Sequence, residues 1–267
     1  MAHTQYNILV PIDFTQKDRW AIAKAIELAN TLNCNIHLVY VELPQIIDSG
    51  SFSHAENAGQ KLRNLKEEYQ HHLCNGKMEI SLVHGYPQAA LKKYIEQYNM
   101  DMVIKGMSKF NLVYRVLSSV SISRLARITT IPVLAVCASG LVSHFKKILL
   151  PLDKHVPVHR IRIAVMLGRY FKSTIYVISL RGEDSNLSLL NKTLEIMQSL
   201  TTVPVQSIIL EGKNLAQATL DFSKKINADL IMITSRRAFF LPGLWNLVTR
   251  KLLSYKSKIP VLTLDNK

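Results

Sequence analysis

At 267 residues, 48% of them hydrophobic and 19% charged, the chain holds enough material for two globular domains of roughly 100–150 residues each and is too apolar for a disordered polymer. No run reaches the ~18–20 apolar residues of a membrane-spanning helix, and residues 1–13 (MAHTQYNILVPID) read as a first strand rather than a secretory leader. The net charge of +14 is uneven: residues 1–140 hold 14 basic and 11 acidic side chains, residues 141–267 hold 19 and 8, so the second half suits either an anionic contact or a well-solvated surface.

In chain order, residues 8–12 form an apolar strand. Residues 16–32 follow, with Ala21, Ala25, Leu28, Ala29 and Leu32 at helical spacing. A strand over 35–41 and a helix over 53–73 come next, then a strand over 78–83 and a helix over 87–98 that opens on Pro87. A strand over 102–105, a helix over 116–128 and a strand over 132–136 close the first set. The same order returns from 148 to 264, with a shorter connection after the second strand. Cys34, Cys74 and Cys137 are odd in number, widely spaced and confined to the first half, which suits free thiols in a reducing cytosol rather than a disulfide framework.

Three landmarks recur in order. YNILVPID at 6–13 matches KKILLPLD at 146–153. The segment HGYPQAALKKYIEQYNMDMVIKG from His84 matches EGKNLAQATLDFSKKINADLIMITS from Glu211. IPVLAV at 131–136 matches IPVLTL at 259–264. A repeat of this length is a duplicated domain rather than a solenoid unit. The expected organisation is a first domain over 1–138, a linker over 139–145 and a second domain over 146–267, the short linker favouring two domains that pack together. Strands that are apolar throughout and alternate with helices imply a parallel sheet covered on both faces, an α/β doubly wound fold.

Ligands of such sheets bind beyond the carboxyl ends of the strands, where strand order reverses. The segments that fall there are 11–13, 41–43 and 106–121. Asp13 can accept a hydrogen bond from a ribose hydroxyl or an adenine amino group. It can equally cap the following helix, as can Thr15, and the residues leave both readings open.

ILVPID at the first strand, HGYP before the third helix, DMVIKG at the fourth strand, SSVSISRLAR in the last helix and IPVLAV at the end together resemble the universal stress protein domain, over nearly the whole chain and twice. The resemblance implies two five-stranded, Rossmann-like sheets of order 3-2-1-4-5. It also implies pairing through the last strands, here between the two halves of one chain, with a further homodimer open. One branch of the family binds ATP through a loop G-x2-G-x9-G-[ST], in which glycines admit the phosphates to backbone amides and hydroxyls. On that pattern Pro11, Asp13, Val41, Gly106, Lys109 and Ser119 are the candidate ATP or ADP contacts of the first half. The pattern is damaged. Lys109 replaces the second glycine, Ser118 the third, and the spacing is one residue short. Lys109 can supply charge to a phosphate but not the φ freedom of glycine. In the second half, residues 233–237 contain no glycine.

Residues 235–258 instead gather Arg236, Arg237, Arg250, Lys251, Lys256 and Lys258 among Phe239, Phe240 and Trp245. Arg236 and Arg237 are the candidate anion contacts of this half. The same composition also describes aromatics packed in a core beneath solvated arginines. There is no Walker loop, HExxH, GxSxG or CxxC. His71, His72 and Cys74 lack a fourth ligand and zinc spacing, His155 and His159 flank Pro157, and Asp13 and Asp153 stand in separate domains. The expectation is a cytoplasmic, non-catalytic tandem stress protein with decayed ATP loops and protein partners the sequence does not name. The alternatives are an adenine-nucleotide switch with weak ATPase activity in the first half, and a binder of polyanions or membrane surfaces through the second. Nucleic acid is not favoured.

Overall fold

The computed structural model describes residues 5–44, 51–107, 121–138, 144–152, 155–181, 184–212, 214–235 and 259–265. It divides into two units, Met1–Leu141 and Val142–Lys267. The first contains β1 (Tyr6–Ile12), α1 (Gln16–Leu32), β2 (Cys34–Glu42), α2 (Ser51–Tyr69), a 3-10 turn at Gln70–His72, β3 (Met78–His84), α3 (Pro87–Gln97), β4 (Met102–Gly106), α4 (Ile122–Thr129) and β5 (Val133–Val136). Its strands lie in the order β3-β2-β1-β4-β5, with every neighbouring pair parallel.

The second unit contains β6 (Lys147–Pro151), α5 (Val158–Phe171), β7 (Thr174–Leu180), α6 (Asp184–Leu200), β8 (Val205–Leu210), α7 (Leu215–Lys225), β9 (Leu230–Thr234) and β10 (Val261–Leu264). Its order, β8-β7-β6-β9-β10, is the same winding, again parallel throughout. The helix expected over 116–128 begins at Ile122 among the described residues, and the second helix gives way to the 3-10 turn earlier than expected. No helix of the described residues is long and apolar enough to cross a membrane.

The strands are apolar on both faces because helices cover both. Leu9 and Val10 of β1 are fully buried, as are Ala21, Ala25, Leu28 and Ala29 along α1. The run of alanines lets α1 lie close to the sheet. α1 ends at Asn33 and α5 at Lys172, each in the left-handed conformation that stops a helix. In the second unit Leu149, Ile178, Ile231, Ile233 and Val261 pack against Ala216 and Leu220 of α7. This winding leaves one switch point per unit, between β1 and β4 and between β6 and β9, and Asp13 and Gly106 stand at the first.

Candidate functional site

In the first unit the chain leaves β1 through Asp13 and a left-handed Phe14 (φ 57°), then enters α1 at Thr15. Asp18, the third residue of this helix, reaches back to the bend. Its Oδ2 accepts the N–H of Thr15 at 3.1 Å and the N–H of Asp13 at 3.0 Å. The Asp13 side chain does not cap α1; its carboxylate instead accepts the Thr15 hydroxyl on Oδ1 and lies 3.3 Å from Lys17 Nζ through Oδ2. Thr15 is the cap residue, forming a capping box with Asp18, and its hydroxyl also donates to Asp13.

Four charged groups therefore share one bend. Burial tends to raise Asp13, but the Thr15 hydroxyl, Lys17 and Lys105 together hold its carboxyl below the usual value. Asp18 is 5% exposed, and burial, followed by the charge of Asp13, pushes it up to about 7. Lys105, the penultimate residue of β4, is drawn down to about 8 by burial, against the pull of Asp13 and Asp18. Asp13 is thus the ionised, outward-facing acceptor, held in place by a buried carboxyl behind it.

Gly106 closes β4 against the same bend. A Cβ built there would lie 1.9 Å from the Lys17 carbonyl oxygen, so the start of α1 packs directly on the glycine. Pro11 is buried near the end of β1. Pairing of Ile12 with Tyr40 brings Val41, half-buried on β2, to the level of Asp13. The Phe14 ring lies 4.8 Å from that of Tyr40, with Lys61 Nζ 5.5 Å from its centre. Pro11, Asp13, Val41 and Gly106 therefore share the carboxyl edge of three adjacent strands. Lys109, Ser119, Asp153, Arg236 and Arg237 lie outside the described residues. Sequence reasoning missed Lys17, Asp18 and Lys105. The Thr15-x-x-Asp18 spacing resembles a capping box and could have flagged Asp18; a lysine inside an apolar strand could have flagged Lys105.

The second unit builds its switch point differently. Arg160, in the first turn of α5, is 2% exposed. Its Nη1 donates to the carbonyl oxygens of Pro151, at 2.9 Å, and Met232, at 3.1 Å, near the ends of β6 and β9. Counting back equally from Asn33 and Lys172, Arg160 stands where the first unit has Ala21, so a guanidinium replaces a buried methyl. Among the described residues no group of three or more His, Cys, Asp or Glu could hold a metal ion.

The profile described as the universal stress protein family matches residues 6–136. A Staphylococcus aureus (strain USA300) protein assigned by name to the universal stress proteins is 26% identical over 131 residues, covering 44% of this chain and 76% of the relative. The crystal structure of a universal stress protein from Archaeoglobus fulgidus DSM 4304 superposes with a TM-score of 0.77 at 14% identity, covering 98% of each chain. A functionally unknown protein from Pseudomonas aeruginosa PAO1 superposes with a TM-score of 0.63 at 19% identity, covering 98% of this chain and 93% of that one. At these identities the two structures speak for the fold alone.

Proposed function

The chain belongs to the universal stress protein family through residues 6–136 and repeats the fold in its second unit, and from this premise we propose that it serves the stress response by binding rather than by a reaction of its own. The observation that carries this reading is the seat of Gly106. Its missing side chain is already required by the Lys17 carbonyl, so the one glycine kept from the ATP loop is explained by helix packing. The next two loop glycines are Lys109 and Ser118. In the second unit the corresponding crevice is occupied by the Arg160 side chain. The output of such a protein is a change in what it binds, which makes a protein partner the recipient. The free thiols of Cys34 and Cys74 support a reducing, cytoplasmic setting. The test is incubation of the purified chain with magnesium and ATP: no turnover above buffer is expected, and sustained turnover abolished by Asp13→Ala overturns the reading.

A second reading is favoured by Asp13 itself, which is ionised, outward-facing and level with Val41 and Gly106. It makes the first unit an adenine-nucleotide switch. Calorimetric titration with ATP and ADP tests it. Micromolar affinity that disappears in Asp13→Ala supports the switch, and absence of heat in the wild type removes it.

A further inference from the structure

We infer that the carboxyl ends of α5, α6 and α7 form a docking face for an anionic lipid surface, with Arg169, Lys172, Lys224 and Lys225 as its charges and Tyr170 and Leu200 as its apolar contacts. The face belongs to the amino ends of the strands, whereas Asp13 and Arg160 act at the carboxyl ends. It goes beyond the binding role proposed above and does not depend on whether the first unit takes a nucleotide.

The winding collects these residues. β6, β7 and β8 are parallel, so each connecting helix carries the chain back and ends beside the start of the next strand. Three cations tie these ends together. Lys146 Nζ donates to the Phe171 carbonyl at the end of α5, and Lys147 Nζ to the Ile226 carbonyl just past α7, each at 2.7 Å. Arg169 Nη2 donates to the carbonyl of Leu200, the last residue of α6, at 2.5 Å. Tyr170 follows Arg169 and is 50% exposed, and Leu200 is 44% exposed, so two bare apolar side chains stand among the cations.

The first unit shows what the fold requires here. Asp101 accepts the Asn7 N–H at 2.8 Å as Asp229 accepts the Lys147 N–H at 2.9 Å, which aligns the two amino ends. The first unit makes its ties with amides. Asn7 Nδ2 donates to the Asn99 carbonyl, and Asn30, at the position of Arg169, donates through Nδ2 to the His72 carbonyl. Asn33 holds the left-handed cap that Lys172 holds in α5. Glu96 and Gln97, at the end of α3, stand where α7 has Lys224 and Lys225. A cation suits a helix carboxyl end, but amides and an acid serve the first unit in the same places, so the fold does not call for the charge. One exchange runs the other way: Lys77, before β3, is matched by Pro204 before β8.

The charge also faces outward. Arg169, Lys172, Lys224 and Lys225 are all exposed, and neither Lys172 nor Lys225 has an ion pair among the described residues. Asp229 is engaged by Lys147. Asp221 accepts the Gln217 amide at 3.0 and 2.9 Å and lies 3.8 Å from Lys224 Nζ. Glu195 stands more than a turn before the end of α6. Composition then selects the partner. Three of the four charges are lysines, compact ammonium groups that act as point charges rather than as planar forks for one phosphate. A single-stranded nucleic acid is held by aromatic rings on which bases stack, and an exposed leucine does not serve that end. A tyrosine and a leucine beside lysines suit a headgroup layer, with the ammonium groups at the phosphates and the apolar side chains just below them.

The experiment is sedimentation of the full chain with vesicles in which about one lipid in three is phosphatidylglycerol and the rest phosphatidylcholine. The test variant gives the second unit the residues or neutral charge of the first: Lys172→Asn, Lys224→Gln and Lys225→Gln together. Asparagine suits a left-handed cap and glutamine a helix, so this variant is expected to melt no lower than the wild type. Each cation near such a surface strengthens attachment about fivefold, so the triple variant is expected to bind roughly a hundredfold more weakly. A control, Lys66→Gln with Lys77→Gln and Lys93→Gln, removes the same charge from the first unit and is expected to bind as the wild type does. Tyr170→Thr, which installs the first unit's Thr31, is expected to lower affinity severalfold at about 0.15 M salt, where charge is screened. Equal binding to pure phosphatidylcholine, equal loss in the control and test variants, or unchanged binding in Tyr170→Thr overturns the face as proposed. Tighter binding to duplex DNA or to polyglutamate at matched charge concentration overturns the lipid, and gives the patch to a nucleic acid or to an acidic protein.

Discussion

Asp18 holds Asp13 by its backbone: Oδ2 of the first accepts the N–H of the second at 3.0 Å, so two carboxyl groups share one bend. Burial and then the charge of Asp13 raise Asp18 from 3.8 to about 7, while Thr15 and Lys17 outweigh burial at Asp13 and lower it. The native chain thus keeps on Asp18 a proton that the unfolded chain releases near 3.8. The resulting stabilisation is complete below that value and is lost as pH rises through about 7. Asp18→Asn keeps an oxygen for both N–H donors and removes the titration. The stability of the wild type minus that of Asp18→Asn, from denaturant melts, is expected to fall between pH 5 and pH 7.5. A flat difference places the proton elsewhere. Lys105 acts in a separate window. Burial lowers it from 10.5 to about 8, so its contribution to stability improves as pH rises from 8 toward 10.5, where the unfolded chain also loses the proton.

Asp13 is the simpler partner. Its pair with Lys17 is partly exposed at both ends, and such pairs contribute about 0–1 kcal/mol. Asp13→Asn should therefore leave the melting temperature nearly unchanged. It should also lower the Asp18 midpoint, because one charge that raises it is gone. Carboxyl carbon chemical shifts followed through a pH titration read this directly; an unmoved Asp18 midpoint leaves burial as the whole cause.

Gly106→Ala separates packing from ligand approach. The added Cβ meets the Lys17 carbonyl oxygen at 1.9 Å and its carbon at 2.6 Å, both backbone atoms that yield only if α1 moves away from β4. A loss of about 3 kcal/mol is expected, lowering the melting temperature by roughly 6–12 °C. A variant as stable as the wild type contradicts the packing account and returns Gly106 to the ligand.

The fold was legible because its signals are periodic and repeated. ILVPI at β1, the alanines of α1 and the recurrence of Pro-x-Asp at 11–13 and 151–153 need no long-range information. The position of Asp13 followed from strand order. Its partners did not, because burial of a charged residue is decided by what packs over it. Asp18 reads in sequence as one more acidic residue in a first turn, and Lys105 as a break in an apolar strand. Arg160 belongs to a basic stretch, HRIR at 159–162, that looks like a solvated helix face, yet it is 2% exposed. Carbonyls at Pro151 and Met232, from strands far apart in sequence, receive its guanidinium there.

The far edge of the first sheet offers a test of a different kind. The Tyr94 hydroxyl on α3 lies 3.0 Å from His37 Nδ1 on β2 and 2.8 Å from Ser81 Oγ on β3, so a single oxygen ties the helix to two strands. Tyr94→Phe keeps the ring and its 4.4 Å contact with Tyr98, and removes only that oxygen. Two half-buried polar groups then lose their shared partner, at a cost of about 1–2 kcal/mol. The measurement belongs at pH 8. Burial lowers the His37 pKa below 6.5 against the opposing charge of Glu79, so its contribution is present above 6.5 and lost as pH falls, and acid would confound the comparison. Adding Ser81→Ala to Tyr94→Phe removes one of the orphaned groups. The double variant should therefore cost less than the sum of the two single changes, by about 1 kcal/mol or more. Strict additivity in denaturant melts would show that the hydroxyl does not join the two strands to α3.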